Sequence, residues 1–278
     1  MSFDGAGLNG LDYDVCEYDG SRLMFRGPKI DVDKPCVAFL GATETFGKFV
    51  AQPFPTVLTK HLPAQSLNLG MINAGVDAYL GDPAIVDLAK KADLRVVQVL
   101  SALNQSNHFF KVHPRRNDRF LRASTVLQAI YSDVDFSDFT FTRHMLGRLL
   151  ELSPERFDIV VHELREAWVA RMRNMLGQIG TKSVLLWFGR EKMSNDPWNT
   201  KARPLQADPL FITESMINEL RPMVLDVVTV TPSEIALRQG TKGMYFSGVQ
   251  EKAAPEMLGV ACHSEVSSAL VPIIRNLI

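Results

Sequence analysis

Short apolar runs alternate with longer amphipathic stretches along the chain, and this pattern is typical of a parallel sheet covered by helices. The run Cys36–Leu40 is continuously apolar, as expected for a strand that is buried on both faces. Five segments are predicted to be the strands of the sheet: 36–40, 66–69, 95–100, 183–188 and 224–230. The segments between them are predicted to contain four main helices: 82–91, 153–179, 212–220 and 264–276.

Two of these helices carry clear start and stop signals. Asp82 stands before Pro83, and Ser153 stands before Pro154, so each pair supplies a capping side chain followed by proline at the first helical position. Gly180 is predicted to end the second of these helices. Strands and helices therefore alternate, which implies parallel strands joined by right-handed crossovers.

The alternation predicts an α/β fold with three layers and a five-stranded parallel sheet in a flavodoxin-like order. Residues 1–34, rich in Gly and Asp, are expected to be an N-terminal extension with one short strand near 22–26, and residues 35–278 a single α/β domain. Residues 104–150 are expected to be a helical insertion after the third strand. This insertion is either a lid over a binding surface or a small subdomain used for dimer contacts.

Composition narrows the class of protein. The net charge of −1 argues against a general nucleic-acid or membrane-surface binder, and no run of 18 apolar residues predicts a membrane span. The three cysteines and the spacing of the histidines suggest neither a disulfide framework nor a metal site. The expectations from composition are thus a cytoplasmic protein with no cofactor or metal and no nucleic-acid or membrane partner, while a homo-oligomer stays open.

The turn after the first strand is the first candidate site, because ligands of open α/β sheets bind at the carboxyl ends of strands. It contains Thr43, Glu44 and Thr45. Either threonine could be a nucleophile or substrate binder, although each could also cap the following helix. Glu44 could be a general base or a solvated carboxylate favoured by the helix dipole.

Four segments resemble the conserved blocks of SGNH, or GDSL-like, hydrolases in order and in position. The family's Gly-Asp-Ser corresponds to Gly41-Ala42-Thr43, and its second-block glycine falls in the segment 68–75, with Gly75 preferred over Gly70. Its Gly-x-Asn-Asp corresponds to the segment 102–105, which keeps Asn104, and its Asp-x-x-His to the segment 260–263, which keeps only His263. The chain also resembles an uncharacterised bacterial family that carries the same threonine turn and the run 113–119.

The resemblance implies a hydrolase or acyl/group transferase that acts on a small ester or decorated sugar. Thr43, or Thr45 in its place, would be the nucleophile or a substrate binder, His263 the base, and Gly75 and Asn104 the groups that stabilise an oxyanion. Threonine replaces the family's serine, and the aspartate that would orient His263 is missing, so the catalytic set is non-standard. The loss of both residues motivates the alternative hypothesis, a non-catalytic protein that binds an anionic ligand or glycan.

A dense polar run follows the third strand and suggests a site for an anion. Arginine binds phosphate, sulfate or carboxylate groups through paired hydrogen bonds, although most surface arginines are simply solvated. Asn107 could bind substrate or satisfy loop backbone groups. The candidate substrate-binding residues beyond the first turn are Asn107, His113, Arg115, Arg116 and Arg143.

Overall fold

The computed structural model describes residues 10–195, 205 and 208–278. Its strands, in chain order, are β1 (Cys36–Leu40), β2 (Gln65–Asn68), β3 (Leu94–Gln98), β4 (Phe110–His113), β5 (Arg116–Ala123), β6 (Ser183–Phe188) and β7 (Asp226–Val230). Its helices are α1 (Thr43–Phe46), α2 (Phe54–Thr59), α3 (Val76–Leu80), α4 (Pro83–Lys91), α5 (Thr125–Ile130), α6 (Thr142–Leu152), α7 (Pro154–Ile179), α8 (Glu214–Leu220), α9 (Glu234–Arg238) and α10 (Val260–Leu277).

The main sheet has five parallel strands in the order β2-β1-β3-β6-β7. From β1 the chain first moves outward to β2 and then returns to β3 on the other side of β1. In open α/β sheets such a reversal marks the place outside the carboxyl ends of the strands where ligands bind, and here that place lies beside β1 and β3. We refer to this region as the rim crevice.

Helices cover both faces of the sheet, so the fold has three layers. Alternate residues of β1 point to opposite faces, as the period of two in a strand requires. Val37 and Phe39 pack in a core with α2, α9 and α10, whereas Ala38 and Leu40 pack in a larger core with α3, α4, α7 and α8. Both faces are therefore apolar and closed, and polar chemistry is left to the rim of the sheet.

The predicted helix caps agree with the structure. The side chain of Asp82 accepts a hydrogen bond from the backbone N–H of Ile85, and that of Ser153 accepts one from Arg156. Ile179 is the last residue of α7, and Gly180 follows with a φ of 94°. Strands β1 and β6 have the bounds that their apolar runs predict.

The insertion at 104–150 is not wholly helical, which corrects the prediction. It begins with an antiparallel hairpin of β4 and β5, and only then continues into α5, one turn of 3₁₀ helix and α6. Phe110, Val112 and Phe120 are buried, whereas the charged side chains of Lys111, Arg115 and Arg116 are exposed. The many charges hide this period-two pattern, and it is the packing of three apolar side chains that fixes the strands.

The closing helix α10 begins four residues before its predicted start, so His263 lies within its first turn. The stretch Ala254–Leu277, which includes α10, is long and apolar enough to cross a membrane by length and composition alone. In the structure Val266, Leu270 and Ile274 are fully buried against the sheet. Packing on the sheet thus accounts for the apolar residues on one face of this helix.

Residues 10–34 pack against the larger domain. The strand expected near 22–26 is reduced to a single bridge between Cys16 and Phe25, and Phe25 is fully buried in the core. The guanidinium of Arg26 donates to the backbone carbonyls of Phe46, Gly47 and Ala51 at 3.2, 2.7 and 2.8 Å. This segment therefore holds the loop that connects α1 to α2.

Candidate active site in the rim crevice

Thr43 is buried at the start of α1, and its hydroxyl faces the loop after β2. Its Oγ1 accepts from the backbone N–H of Asn73 at 3.0 Å and donates to Asn73 Oδ1 at 3.2 Å. The helix shows no side-chain cap, so Thr43 does not have the capping role that its position suggests. The hydroxyl instead joins the loops after β1 and β2.

Gly75 and Asn104 also meet at this edge. The Nδ2 group of Asn104 donates to the carbonyl of Asn73 at 3.0 Å, and its Oδ1 accepts from the hydroxyl of Thr142 at 2.8 Å. A methyl group at Gly75 would overlap the carbonyl oxygen of Asn104, so only glycine fits there. The structure thereby brings sequence positions 43, 75 and 104 together at the carboxyl edge of the sheet.

The backbone N–H of Gly75, which was expected to stabilise an oxyanion, already donates to a side chain of the protein. Its backbone N–H donates at 2.9 Å to Oδ1 of Asn117, which also accepts from the N–H of Ala78 at 3.0 Å. The amide nitrogen of Asn117 donates in turn to the carbonyls of His113 and Pro114. Asn117 on β5 therefore caps the amino end of α3 from outside and ties the hairpin to the candidate site.

His263 forms its hydrogen bonds with residues other than Thr43, Gly75 and Asn104. Its ring is 2% exposed, stacks on Phe54 and meets Phe188 edge to face. Nδ1 accepts from the backbone N–H of Phe54 at 3.2 Å, which satisfies one free donor at the start of α2. Burial lowers the pKa of His263 to about 3, with a smaller contribution from the charge of Arg26 and an opposing hydrogen bond to the backbone of Leu258. A neutral ring bonded in this way holds two helices together.

Thr45 and Glu44 both bond to Gln98, at the end of β3. Oε1 of Gln98 accepts from the hydroxyl of Thr45 at 2.6 Å and from the N–H of Ala42 at 3.0 Å, and its Nε2 donates to Glu44 at 3.1 Å. Thr45 is fully buried, so it is a structural link between β1 and β3. Glu44 is partly exposed.

The surroundings of Glu44 change the pKa of its carboxyl group. Burial raises the pKa of Glu44 above its usual range, and the charge of Asp208 raises it further. The hydrogen bond from Gln98 and the charge of Arg143 act in the opposite direction but do not cancel the rise. A carboxyl with a raised pKa in a crevice is a frequent sign of a functional group.

Arg143, predicted to bind substrate, pairs instead with Asp208. Its Nη2 lies 3.2 and 3.1 Å from the two carboxylate oxygens, and its Nη1 donates to the carbonyl of Leu205. The hydroxyl of Ser101 also donates to Asp208 and accepts from the N–H of Leu210 at 2.8 Å. These contacts place a second carboxylate beside the loop after β3, where it influences Glu44.

The remaining predicted residues lie in the insertion. Asn107 is buried, accepts from the N–H groups of Phe109 and Phe110, and thus stabilises its own loop. His113 accepts at 3.2 Å from each of the N–H groups of Arg115 and Arg116, which closes the hairpin turn. Both arginines are exposed at that turn.

Sequence reasoning missed the residues that complete the site. Gln98 ends a strand, Asn73 and Ser101 lie in short loops, and Asp208 follows a long polar segment. Asn73, Gln98 and Ser101 lie at or after the ends of β2 and β3, and this position could have marked them as candidate site residues. No comparable feature of the sequence marks Asp208. Among the described residues, no group of three or more His, Cys, Asp or Glu side chains is placed to hold a metal ion.

The fold and this crevice define an α/β protein with a polar site at the carboxyl edge of a parallel sheet. The chain belongs to the family described as Domain of unknown function (DUF6473), whose model matches residues 1–278. A comparison with curated proteins finds no match. A structure described as the crystal structure of the lipase Lip_vut3 from a goat rumen metagenome is 13% identical, with a TM-score of 0.39, 84% of this chain covered and 97% of that chain. A likeness at that level carries no argument about activity.

Proposed function

We propose that this protein is an SGNH-like hydrolase or acyl/group transferase that acts on a small ester or decorated sugar in the rim crevice. The strand order β2-β1-β3-β6-β7 supports a flavodoxin-like fold, and the rim crevice lies where the direction of that order reverses. Thr43 and Asn104 both bond to Asn73 at this edge, and Gly75 lies against Asn104, which supports a site there. These observations support the location of the site rather than the usual catalytic set.

The proton-accepting group in this proposal is Glu44, in place of His263. Glu44 follows β1 at the switch point, is partly open to solvent, and has one side-chain hydrogen bond, from Gln98. Its raised pKa, caused by burial and by Asp208, makes the ionised carboxylate a stronger base than an ordinary glutamate. This carboxyl is the single observation that carries the proposal, because the imidazole of His263 is buried with Nδ1 already bonded.

In the proposed reaction, Glu44 removes a proton from water or from an acceptor hydroxyl as the oxygen attacks the acyl carbon. The negative charge that develops on the carbonyl oxygen needs a donor, and Asn104 can supply one. One hydrogen of its Nδ2 group is given to Asn73, and the other has no partner among the residues that the structure describes. Glu44 then returns the proton to the leaving oxygen.

Steady-state kinetics on p-nitrophenyl acetate and a panel of acetylated monosaccharides tests this role. Glu44→Gln keeps the shape and the contact with Gln98 but cannot accept a proton, so we expect kcat to fall about 100-fold or more. Glu155→Gln, an exposed change in the first turn of α7, is the matched control and should leave kcat unchanged. The wild-type rate should fall as pH drops through the raised pKa of Glu44, since only the ionised form is a base.

Equal kcat values for the wild type and Glu44→Gln would remove Glu44 from the mechanism. If no substrate of the panel is turned over, the hydrolase proposal itself is contradicted. A variant His263→Asn should retain the wild-type dependence of kcat on pH, because its ring has no part in the proposed chemistry.

A second candidate function is binding without catalysis, and a specific observation favours it. The hydroxyl of Thr43, the N–H of Gly75 and Nδ1 of His263 each have a partner inside the protein. In this case a glycan or anionic ligand would raise the melting temperature without being converted, since a ligand that prefers the native state stabilises it by mass action. Thermal-shift measurements beside the kinetic panel separate the two functions.

A further inference from the structure

The hairpin of β4 and β5 carries an unusual concentration of positive charge. Residues 110–123 include five lysine and arginine side chains and one aspartate, although the whole chain has a net charge of −1. Four of the five are exposed and have no hydrogen-bonding or ion-pair partner among the described residues: Lys111, Arg115, Arg116 and Arg122. We call these four residues the basic hairpin surface.

Two of these charges oppose each other directly. Lys111 and Arg122 are cross-strand partners in the hairpin register, so their side chains leave the same face of the ribbon. Like charges in this relation destabilise a hairpin, and neither side chain has an ion-pair partner among the described residues. A hairpin built only for stability would place an acidic residue at one of these two positions.

The charges also lie close together. The register shifts in β5 place Arg116 opposite His113 and Arg122 opposite Lys111, and these two partners are two residues, or about 7 Å, apart on β4. Arg115 lies next to Arg116 in the turn. Four positive charges in this space exceed what a single phosphate or sulfate group neutralises, so a ligand with repeated negative charges matches them better.

The hairpin is connected to the rim crevice by specific hydrogen bonds. Asn117 accepts from the N–H of Gly75, and the carboxylate of Asp118 accepts from Asn73 at 3.3 Å. A chain that lies along the hairpin therefore runs beside the loop that borders the crevice. This arrangement suits a polymer that is held at one place and acted on at another.

From these observations we infer that the basic hairpin surface binds a linear acidic glycan, one whose sugar units carry carboxylate or sulfate groups. The choice of a glycan rests on the proposed function, since the adjoining crevice would act on a decorated sugar. A single-stranded nucleic acid is disfavoured because binding it uses exposed aromatic rings as stacking platforms. The exposed aromatic ring beside the hairpin, Phe141, has one face occupied by the guanidinium of Arg119, 4.2 Å from its centroid.

Fluorescence anisotropy with labelled oligosaccharides tests the inference. The probes are a galacturonate decamer, a sulfated heparin decasaccharide, a neutral malto-oligosaccharide, a decanucleotide and a polyglutamate of the same length. We expect at least one acidic glycan to bind more tightly than every other probe. Its affinity should fall with rising salt, because the interaction is between exposed charges.

The variant pair is chosen to keep the fold intact. Lys111→Glu/Arg122→Glu should weaken binding of the acidic glycan about tenfold or more, since it reverses both opposed charges. Lys182→Glu/Lys252→Glu is the matched control, with the same change in net charge at exposed positions away from the hairpin, and should bind within about twofold of the wild type. The single change Lys111→Glu should raise the melting temperature, because it replaces a like-charge pair by an opposite-charge pair.

Several results would overturn the inference. The first is that the decanucleotide or the polyglutamate binds more tightly than either acidic glycan. The second is that acidic and neutral glycans bind with the same affinity. The third is that the hairpin variant and the control variant bind the acidic glycan equally well. The variant Lys111→Gln/Arg122→Gln removes both positive charges without introducing acidic side chains, and it should also bind the acidic glycan less tightly than the wild type does. Because binding is measured without turnover, a failure of the proposed catalysis at Glu44 is seen separately in the ester kinetics.

Discussion

The assignment of His263 as a neutral structural side chain predicts how acid affects the stability of the protein. Burial lowers the pKa of this histidine to about 3 in the folded protein, whereas an unfolded histidine has a pKa of about 6.5. Between these two values the unfolded chain binds a proton that the folded protein does not. Stability is therefore complete above about pH 6.5 and is lost as pH falls toward 3.

The size of the effect follows from the same two values. Lowering the pH from 7.5 to 5.0 should cost about 2 kcal/mol of unfolding free energy through this one group. The whole stability of a domain is typically about 5–15 kcal/mol, so the loss is large enough to measure. It depends on the ring being enclosed by Phe54 and Phe188 with no carboxylate bonded to it.

Urea unfolding at pH 7.5 and at pH 5.0 measures the effect. In His263→Asn the amide oxygen can still accept from the backbone N–H of Phe54, but nothing at this position titrates. We expect the variant to be less stable than the wild type at pH 7.5, because a smaller side chain leaves a cavity. Its further loss between the two pH values should be about 2 kcal/mol smaller than that of the wild type.

His162→Asn, an exposed change on α7, controls for the general effect of removing a histidine. This variant should lose as much stability on acidification as the wild type. If His263→Asn also loses as much as the wild type, the ring is not held neutral in the folded protein. The ester kinetics of His263→Asn would then test whether His263 is a catalytic base.

Three further changes test the contacts around the rim crevice. Gly75→Ala should reduce the melting temperature sharply and abolish crevice function, because its methyl group would overlap the carbonyl of Asn104, and circular dichroism melting checks this. Asn117→Ala should cost about 2–4 kcal/mol of unfolding free energy in urea, since it removes the acceptor for two buried N–H groups, whereas the exposed Asn276→Ala should be close to neutral. Arg26→Met should destabilise the protein by about 2–4 kcal/mol because three carbonyls lose their shared donor, and wild-type resistance to urea would contradict that clamp.

The parts of the fold that short-range patterns encode could be predicted from the sequence. The apolar run of β1 and the serine–proline start of α7 each depend on neighbouring residues, and both agree with the structure. The hairpin could not be found in this way, because Val112 and Phe120 define it only when paired across eight positions. Charged residues surround both, so the local composition resembles a loop.

The same distinction between neighbouring and distant residues applies to the candidate site. Thr43 and Asn104 follow strands, and any strand end in a parallel sheet reaches the same rim, so their meeting was predictable. What their polar atoms bond to was not predictable, because the partners Asn73 and Thr142 are 30 and 38 residues away. A residue type in the expected position therefore does not establish that its hydrogen-bonding groups are available to a substrate.

This distinction decides where chemistry at the crevice can occur. The imidazole of His263 matches the resemblance by position, but α10 begins early enough to draw the ring into the apolar core between α2 and β6. Glu44 is the group at this edge whose acidity is altered while part of its side chain still meets solvent. Because Asp208 contributes to the rise in the pKa of Glu44, Asp208→Asn should lower that pKa, and the acid limb of the pH–rate profile should move to lower pH. A limb that stays in place would show that the titrating group is not Glu44.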